Sequence, residues 1–267
     1  MKGTGERAAD LCTGLLAFAV LAVLYAPVII SALFSVVDIR NGHIEWASFS
    51  LSRYVTLWDN PTIVTALANT AIVAVVAVVL AMGLAVLLAL YAQWDGAVGK
   101  KLLELVIYLP FLLPPIVTGL SLLVAASELG IARGLSTVII GHTVFVLAVA
   151  YRLVLTRLEA MPASLVEASS DLGATRLQTF RYVLLPHLAS AIVTGAVLAL
   201  TLSFDETLIT VFLAGDMTTL PLRLWAMMRV GFTPEINALV TLVLVISLAL
   251  AAVVAWRMAP EGRSAEE

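Results

Sequence analysis

The chain has 267 residues, of which 61% are hydrophobic and only 12% are charged. Soluble proteins average roughly 25% charged residues, so this composition excludes an ordinary soluble domain. The formal net charge of −3 is too small to indicate a nucleic-acid-binding protein, and no cluster of basic residues is present. The composition therefore predicts a membrane protein.

Six apolar runs are each long enough to cross a bilayer as a helix, which takes about 20 residues. They lie at residues 11–37, 62–91, 102–126, 136–155, 188–214 and 236–256. Helices are favoured because no strand-like alternation occurs and because lipid offers no partner to open backbone groups. We expect an all-α, polytopic membrane protein with six transmembrane helices in one domain over residues 1–267. An N-terminal helix at 11–37 precedes a core at 62–256, and the first run is too long for a signal peptide.

The segments around the second and third runs carry tryptophans and prolines. Trp46 and Trp58 suit a belt at the membrane interface, and the second run follows an Asn-Pro pair that is typical of a helix start. The third run contains Pro110, Pro114 and Pro115, which remove backbone hydrogen bonds and bend a helix. We predict one bent span here, which either lines a pore or is kinked for packing.

A polar segment at residues 157–186 separates the fourth and fifth runs and predicts two short helices. Gly173 suits the left-handed residue that ends the first of them. The second would run to about Leu184, with Pro186 stopping it where the fifth span begins. Glu167 and Asp171 lie four residues apart on one face, where like charges repel unless a basic partner or solvent covers them. The pattern favours a docking element over a plain solvated loop.

Two acidic residues, Asp205 and Glu206, fall within the fifth apolar run. On a continuous helix Asp205 shares a stripe with Thr201, and the adjoining stripe carries Glu206. Acidic side chains within a span are costly, which favours a functional role such as a pathway or gate for a cation. The alternative is a pair satisfied by a neighbouring subunit. Before the last run, residues 220–230 predict a short amphipathic helix at the outer surface.

Lysines and arginines in the short loops favour a cytoplasmic N-terminus, a cytoplasmic C-terminus and a cytoplasmic polar segment. With that orientation the inner segments hold ten basic residues, namely Lys2, Arg7, Lys100, Lys101, Arg152, Arg157, Arg176, Arg181, Arg257 and Arg263. The outer segments hold five, namely Arg40, Arg53, Arg133, Arg223 and Arg229.

Catalytic and cofactor signals are not found in the sequence. The glycine-rich stretch 96–101 lacks the spacing of a phosphate-binding loop, so the chain is not expected to bind ATP, and no nucleophile–base pattern indicates an enzyme. Cys12, His43, His142 and His187 show no metal-ligand spacing. His142 within the fourth run favours a hydrogen bond between helices over a proton relay.

The polar segment resembles the signature loop of ABC-importer permeases, written E-A-x-x-x-x-G, nine residues, then aliphatic-x-Leu-Pro. Glu167, Ala168 and Gly173 match that motif, while Ser169 replaces a second alanine. Residues 201–206, 220–222 and 230–239 extend the resemblance to the permease subunits of spermidine/putrescine importers. It implies the type I permease fold and a bacterial inner-membrane location. In that fold the loop contacts an ATP-binding subunit through Glu167, Ala168, Ser169, Asp171 and Gly173.

The same resemblance implies the partners and the function. These are two ATP-binding subunits that carry ATP and Mg, a second and different permease subunit, and a periplasmic solute-binding protein. The chain would be the non-catalytic half of a pathway for a small nitrogenous solute, such as a polyamine, an amino acid derivative or an opine. Two alternatives remain open from the residues. One is a proton-coupled secondary transporter using Asp205, Glu206 and His142, although no inverted repeat is seen. The other is a membrane scaffold without transport.

Overall fold

The computed structural model describes residues 4–40, 43–94, 96–230 and 234–258. Within these ranges the chain is almost wholly helical, with one short antiparallel hairpin of β1 (Asp38–Arg40) and β2 (His43–Glu45). The helices are α1 Thr4–Val36, α2 Ser52–Asp59, α3 Pro61–Gln93, α4 Lys100–Leu112, α5 Pro115–Glu128, α6 Leu135–Glu159, α7 Ser164–Asp171, α8 Arg176–Thr179, α9 Leu185–Phe204, α10 Leu208–Leu213, α11 Leu220–Val230 and α12 Pro234–Met258.

In the described part of the chain, five stretches of helix are long and apolar enough to cross a membrane, and there are six if the bent pair α4 and α5 counts as one span. The single stretches are Leu11–Val36, Pro61–Gln93, Leu135–Glu159, Arg176–Phe204 and Glu235–Val253. They coincide with the predicted runs because hydropathy over about 20 residues is the dominant constraint on such a chain. The resembling stretch at 230–239 lies partly outside the described residues.

The third predicted span is not one bent helix. It is divided into two helices, α4 and α5, and the chain bends by 112° between them. Pro114 has no N–H to donate to the carbonyl of Pro110, four residues earlier, so the helical ladder stops there. The Thr118 hydroxyl donates to that carbonyl instead, at 3.0 Å, and so satisfies it across the bend.

The chain forms two compact units: one of the chain up to Pro61 with Ala226–Ile246, the other of Thr62–Trp225 with the chain from Ser247 onward. In the first unit, Arg53 anchors the segment that follows α1. Its guanidinium pairs with Asp38 and donates to the carbonyls of Phe34 and Val37. The Ser35 hydroxyl bonds Tyr54 at 2.7 Å. The prediction of one domain over the whole chain stays a prediction.

The second unit contains the packed core, in which α3 presents a face of small residues. Alanines recur on it every three or four positions, and Ala66, Ala77, Ala81, Ala85 and Ala89 are fully buried. Small side chains let helices approach closely, which is how helices associate where lipid removes the hydrophobic driving force. The centre of α6 is buried in the same core, with Tyr151 and Val154 completely enclosed.

Pro186 does not stop the second loop helix. The helix runs from α8 through a π-helical turn, Phe180–Leu184, directly into α9. A proline ring crowds the turn before it, and a π turn is wider than an α turn. The wider turn therefore lets the helix continue through Pro186, which the sequence pattern alone did not predict.

Candidate functional site

The first candidate site is the segment that joins α6 to α9, called the coupling loop and spanning residues 157–186. Its helix α7 ends at Asp171, and Gly173, just beyond the helix end, has the left-handed φ of +78° that the sequence predicts. The Gly173 N–H donates to the carbonyl of Ser170, and the Ala174 N–H donates to that of Ser169. This pair of bonds is the Schellman arrangement, which fixes the direction in which the chain leaves the helix.

The next helix begins with a reciprocal cap that sequence reasoning missed. The Thr175 side chain accepts from the Gln178 N–H at 3.4 Å, and the Gln178 side chain accepts from the Thr175 N–H at 2.7 Å. The spacing Thr-x-x-Gln was the available signal. Two defined helix ends therefore meet within a few residues, so the angle between α7 and α8 is closely specified.

The residues predicted to contact an ATP-binding subunit differ in their exposure to solvent. Glu167, Ala168 and Asp171 are exposed. Ser169 is buried, and its hydroxyl bonds the buried Thr179 hydroxyl at 2.8 Å, joining α7 to the end of α8. The replacement of alanine by serine at 169 thus adds a bond inside the loop.

Large apolar side chains also protrude from the coupling loop. Leu172 is 89% exposed, Leu177 is 73% exposed and Tyr182 is 71% exposed. Exposed apolar groups grouped with acidic ones on a defined helical scaffold are typical of a protein-binding surface. The coupling loop therefore exposes both large apolar side chains and the carboxylates of Glu167 and Asp171.

The second candidate site is the end of α9. The expectation that Asp205 and Glu206 lie inside a continuous helix is wrong, because α9 ends at Phe204 and α10 begins at Leu208. The predicted stripe of Thr201 with Asp205 is therefore broken. Thr201 lies within α9, partly buried, and its hydroxyl donates to the Val197 carbonyl of the same helix.

The two neighbouring carboxylates have different surroundings. Asp205 is exposed, whereas Glu206 is 9% exposed. The Glu206 carboxylate accepts the Ile209 N–H at 2.9 Å and so caps the open end of α10. An acidic side chain is favourable there because the first N–H groups of a helix lack partners. Of the two carboxylates, Asp205 is thus the one that is exposed at the surface of this chain.

His142 of α6 lies against this break and bonds both sides of it. Its Nδ1 is 2.8 Å from the Ser203 hydroxyl, and its Nε2 is 2.8 Å from the Thr210 hydroxyl. The sequence-based expectation of a hydrogen bond between helices is confirmed. Its partners were not predicted, because they lie 61 and 68 residues away along the chain.

Helix α10 is fitted closely between α5 and α6 by two glycines. A Cβ on Gly119 would lie 3.0 Å from the Ile209 Cα, and one on Gly141 would lie 2.8 Å from the Ile209 Cγ2. At the other end of α10, the Leu213 carbonyl accepts from the Gly134 N–H and from the Thr137 hydroxyl, both at 2.9 Å. The segment after the break is therefore held firmly to α5 and α6.

No group of three or more histidine, cysteine or acidic residues that could hold a metal ion occurs in the described part of the chain. The two candidate sites are instead an exposed surface of acidic and apolar side chains on the coupling loop and an exposed carboxylate at a helix break.

Comparison with known proteins identifies the family. The family model described as binding-protein-dependent transport system inner membrane component matches residues 81–259, more than half of the chain. The spermidine/putrescine transport system permease protein PotC of Haemophilus influenzae is 32% identical over 234 residues, covering 87% of this chain and 91% of that protein. The putrescine transport system permease protein PotI of Escherichia coli strain K12 is 34% identical over 232 residues, covering 83% and 81%.

Solved structures confirm the fold. A bacterial ABC transporter involved in alginate import has a chain that superposes with a TM-score of 0.70 at 15% identity, covering 96% of this chain and 98% of that one. The methionine ABC transporter MetNI, in an inward-facing conformation, gives 0.58 at 22% identity, covering 78% and 99%. Membership of this family excludes the two alternatives, a secondary transporter and a membrane scaffold without transport. The chain therefore belongs to the inner-membrane components of binding-protein-dependent transport systems, and it is a non-catalytic, type I permease subunit of an ABC importer.

Proposed function

We propose that this permease subunit forms half of the translocation pathway for a polyamine and that Asp205 contacts the cation as it passes. The observation that carries the proposal is the exposed Asp205 carboxylate at the break between α9 and α10. A carboxylate in a region of low dielectric attracts an ammonium group more strongly than one in bulk water. The similarity to PotC and PotI, which are permease proteins of spermidine/putrescine and putrescine transport systems, supports the same solute class.

Glu206 and Thr201 take lesser parts in this pathway. The Glu206 carboxylate is committed to the Ile209 N–H, so it shapes the break and adds negative charge nearby. Thr201 lies in the last turn of α9, just before the break, and its hydroxyl donates to the Val197 carbonyl. Asp205 is the residue among the three whose side chain is open to a solute.

The coupling loop is the surface through which ATP-binding subunits act on the pathway. Its exposed Glu167, Ala168 and Asp171 and the protruding Leu172 face the ATP-binding subunit, while Ser169 and Gly173 set the shape of the loop. Because the helix continues from α8 into α9 without a stop, a movement of the loop is transmitted along α9 toward the break at Asp205.

The assembly contains two ATP-binding subunits that carry ATP and Mg, a second and different permease chain, and a periplasmic solute-binding protein. Both termini and the coupling loop lie on the cytoplasmic side. The excess of lysine and arginine in the inner segments supports that orientation.

The deciding experiment is reconstitution of the complete importer in proteoliposomes. ATP hydrolysis is measured with solute-binding proteins loaded with spermidine, putrescine, an amino acid derivative or an opine. Stimulation by a polyamine-loaded binding protein, with uptake of that polyamine, is the expected result. Stimulation by another solute alone would overturn the polyamine assignment and retain the importer. Uptake that follows a proton gradient without ATP would overturn the coupling model.

A further inference from the structure

The imidazole of His142 is the link between the two helices that flank the exposed carboxylate. It comes from α6, is 2% exposed, and contacts Ser203 in the last turn of α9 and Thr210 in the first turn of α10. Both distances are 2.8 Å, which is short for a hydrogen bond from a ring nitrogen. The side chain of His142 thus connects the two helices on either side of the break that contains Asp205. We call His142, Ser203 and Thr210 together the histidine clasp.

Counting protons assigns the direction of each bond in the histidine clasp. The Thr210 hydroxyl donates its only hydrogen to the Glu206 carbonyl at 2.9 Å. The same Thr210 oxygen lies 2.8 Å from His142 Nε2. With the ring hydrogen on Nε2, the Thr210 oxygen accepts from the ring and Nδ1 accepts from the Ser203 hydroxyl. The three side chains of the clasp therefore have complementary donors and acceptors.

The clasp acts where the backbone supplies few bonds. Across the break, the Glu206 N–H reaches the Ser203 carbonyl only at 3.4 Å. Further along, α10 is fixed to α6 through the Leu213 carbonyl. Without His142, the end of α9 would lose its polar connection to α6, and the angle at which Asp205 leaves the helix would be less restricted.

We propose that His142 is a positioning residue for solute passage: by joining Ser203 to Thr210 it sets the direction of the Asp205 carboxylate. This inference rests on the proposed role of Asp205 in the pathway. The residue does not touch the solute itself, because its side chain is 2% exposed.

The test is a double-mutant cycle in the complete reconstituted importer. Thr210→Val keeps the shape of the side chain and removes its hydroxyl, while Thr143→Val makes the same change next to His142 without touching the clasp. Thr143 donates within its own helix, to the Ile139 carbonyl. Uptake of radiolabelled spermidine per ATP hydrolysed is measured for each variant, alone and combined with Asp205→Asn.

We expect Thr210→Val to lower spermidine uptake per ATP about three- to tenfold, because it removes a buried hydroxyl that bonds both His142 and the Glu206 carbonyl. Thr143→Val should lower it less than twofold. In the Asp205→Asn background Thr210→Val should have no further effect, because the direction of a removed carboxylate no longer matters. His142→Leu should repeat this pattern with a larger loss, and Ser203→Ala replaces it in the cycle if that variant does not assemble.

Two results would overturn the inference, and they differ in what they imply for the proposed function. If Asp205→Asn lowers uptake but the loss from Thr210→Val multiplies with it, the clasp is a packing feature and the pathway role of Asp205 stands. If Asp205→Asn leaves uptake unchanged, the pathway role of Asp205 fails and the positioning role fails with it.

Discussion

Helix α7 of the coupling loop and the break between α9 and α10 each carry two acidic residues, but the protein uses them differently. In the coupling loop, Glu167 and Asp171 are both exposed, and the helix ends there are closed by Gly173 and by the Thr175–Gln178 cap. At the break no glycine or proline is present, and Glu206 itself closes α10 while Asp205 stays exposed. Where the backbone is capped by other means, both charges are free for a partner. Where it is not, one of them becomes structural.

The largest expected effect tests the glycine that closes α7. Gly173→Val places a β-branched residue at φ +78°, which costs roughly 1–2 kcal/mol and disfavours the Schellman turn. We expect uptake to fall more than about tenfold while ATP hydrolysis continues, measured in the reconstituted importer. Gly99→Val is the matched control, because Gly99 has φ +74° in the turn between α3 and α4, with open space around it. Equal losses in both variants would show that backbone strain, and not the loop, is responsible.

The next effect separates the two carboxylates at the break. Asp205→Asn should lower spermidine uptake about tenfold, because the neutral amide no longer attracts an ammonium group. Glu206→Gln should lower it less than about threefold, since an amide oxygen can still accept the Ile209 N–H. Uptake rates with equal amounts of assembled complex give the comparison. A larger loss for Glu206→Gln would reverse the roles assigned to the two residues.

A smaller effect is expected at the apolar surface of the coupling loop. Leu172→Ala removes a side chain that is 89% exposed in this chain, so it should hardly change the stability of the subunit. If Leu172 is buried against the ATP-binding subunit, the affinity between subunits should fall about three- to tenfold. Co-purification at graded detergent and salt concentrations measures this. Val98→Ala is the control, because Val98 is 84% exposed in the turn between α3 and α4.

The smallest effect concerns the bond inside the coupling loop. Ser169→Ala leaves the buried Thr179 hydroxyl without its partner, which costs about 1 kcal/mol of loop stability. We expect uptake per ATP to fall about twofold, with subunit assembly unchanged. A second substitution, Thr179→Val, should restore part of the loss, because removing both polar partners is less costly than removing one. A further loss in the double variant would argue against an internal role for Ser169.

Sequence information predicted the features that depend on local chemistry. The spans follow from hydropathy alone, and Gly173 was identified because a left-handed residue at a helix end strongly favours glycine. The break after Phe204 could not be predicted in this way, since its apolar run continues without a proline or glycine. Its stabilisation comes from His142 and from the close fit of α10 against Gly119 and Gly141, which are distant in the chain.

Proline was the least transferable signal. Pro114 ends a helix, and α5 leaves in a new direction at 112°. Pro186 also follows two leucines in the sequence, but it lies inside a helix that continues past it. The difference lies in the turn that precedes each proline: at Pro186 a π-helical turn makes room, whereas at Pro114 the carbonyl of Pro110 turns to the Thr118 hydroxyl. Neither outcome can be deduced from the proline alone.

The π-helical turn at Phe180–Leu184 also gives the spacing of the signature motif a physical meaning. Each residue advances an α-helix by about 100° of rotation, so one residue more or fewer between Gly173 and Pro186 would rotate α7 around the axis of α9 by that amount. The face that carries Glu167 and Asp171 would then point away from its present direction, although every side chain on it was unchanged. The number of residues in this segment therefore determines the direction in which α7 points around the axis of α9. A single-residue deletion there would alter the protein more than most substitutions.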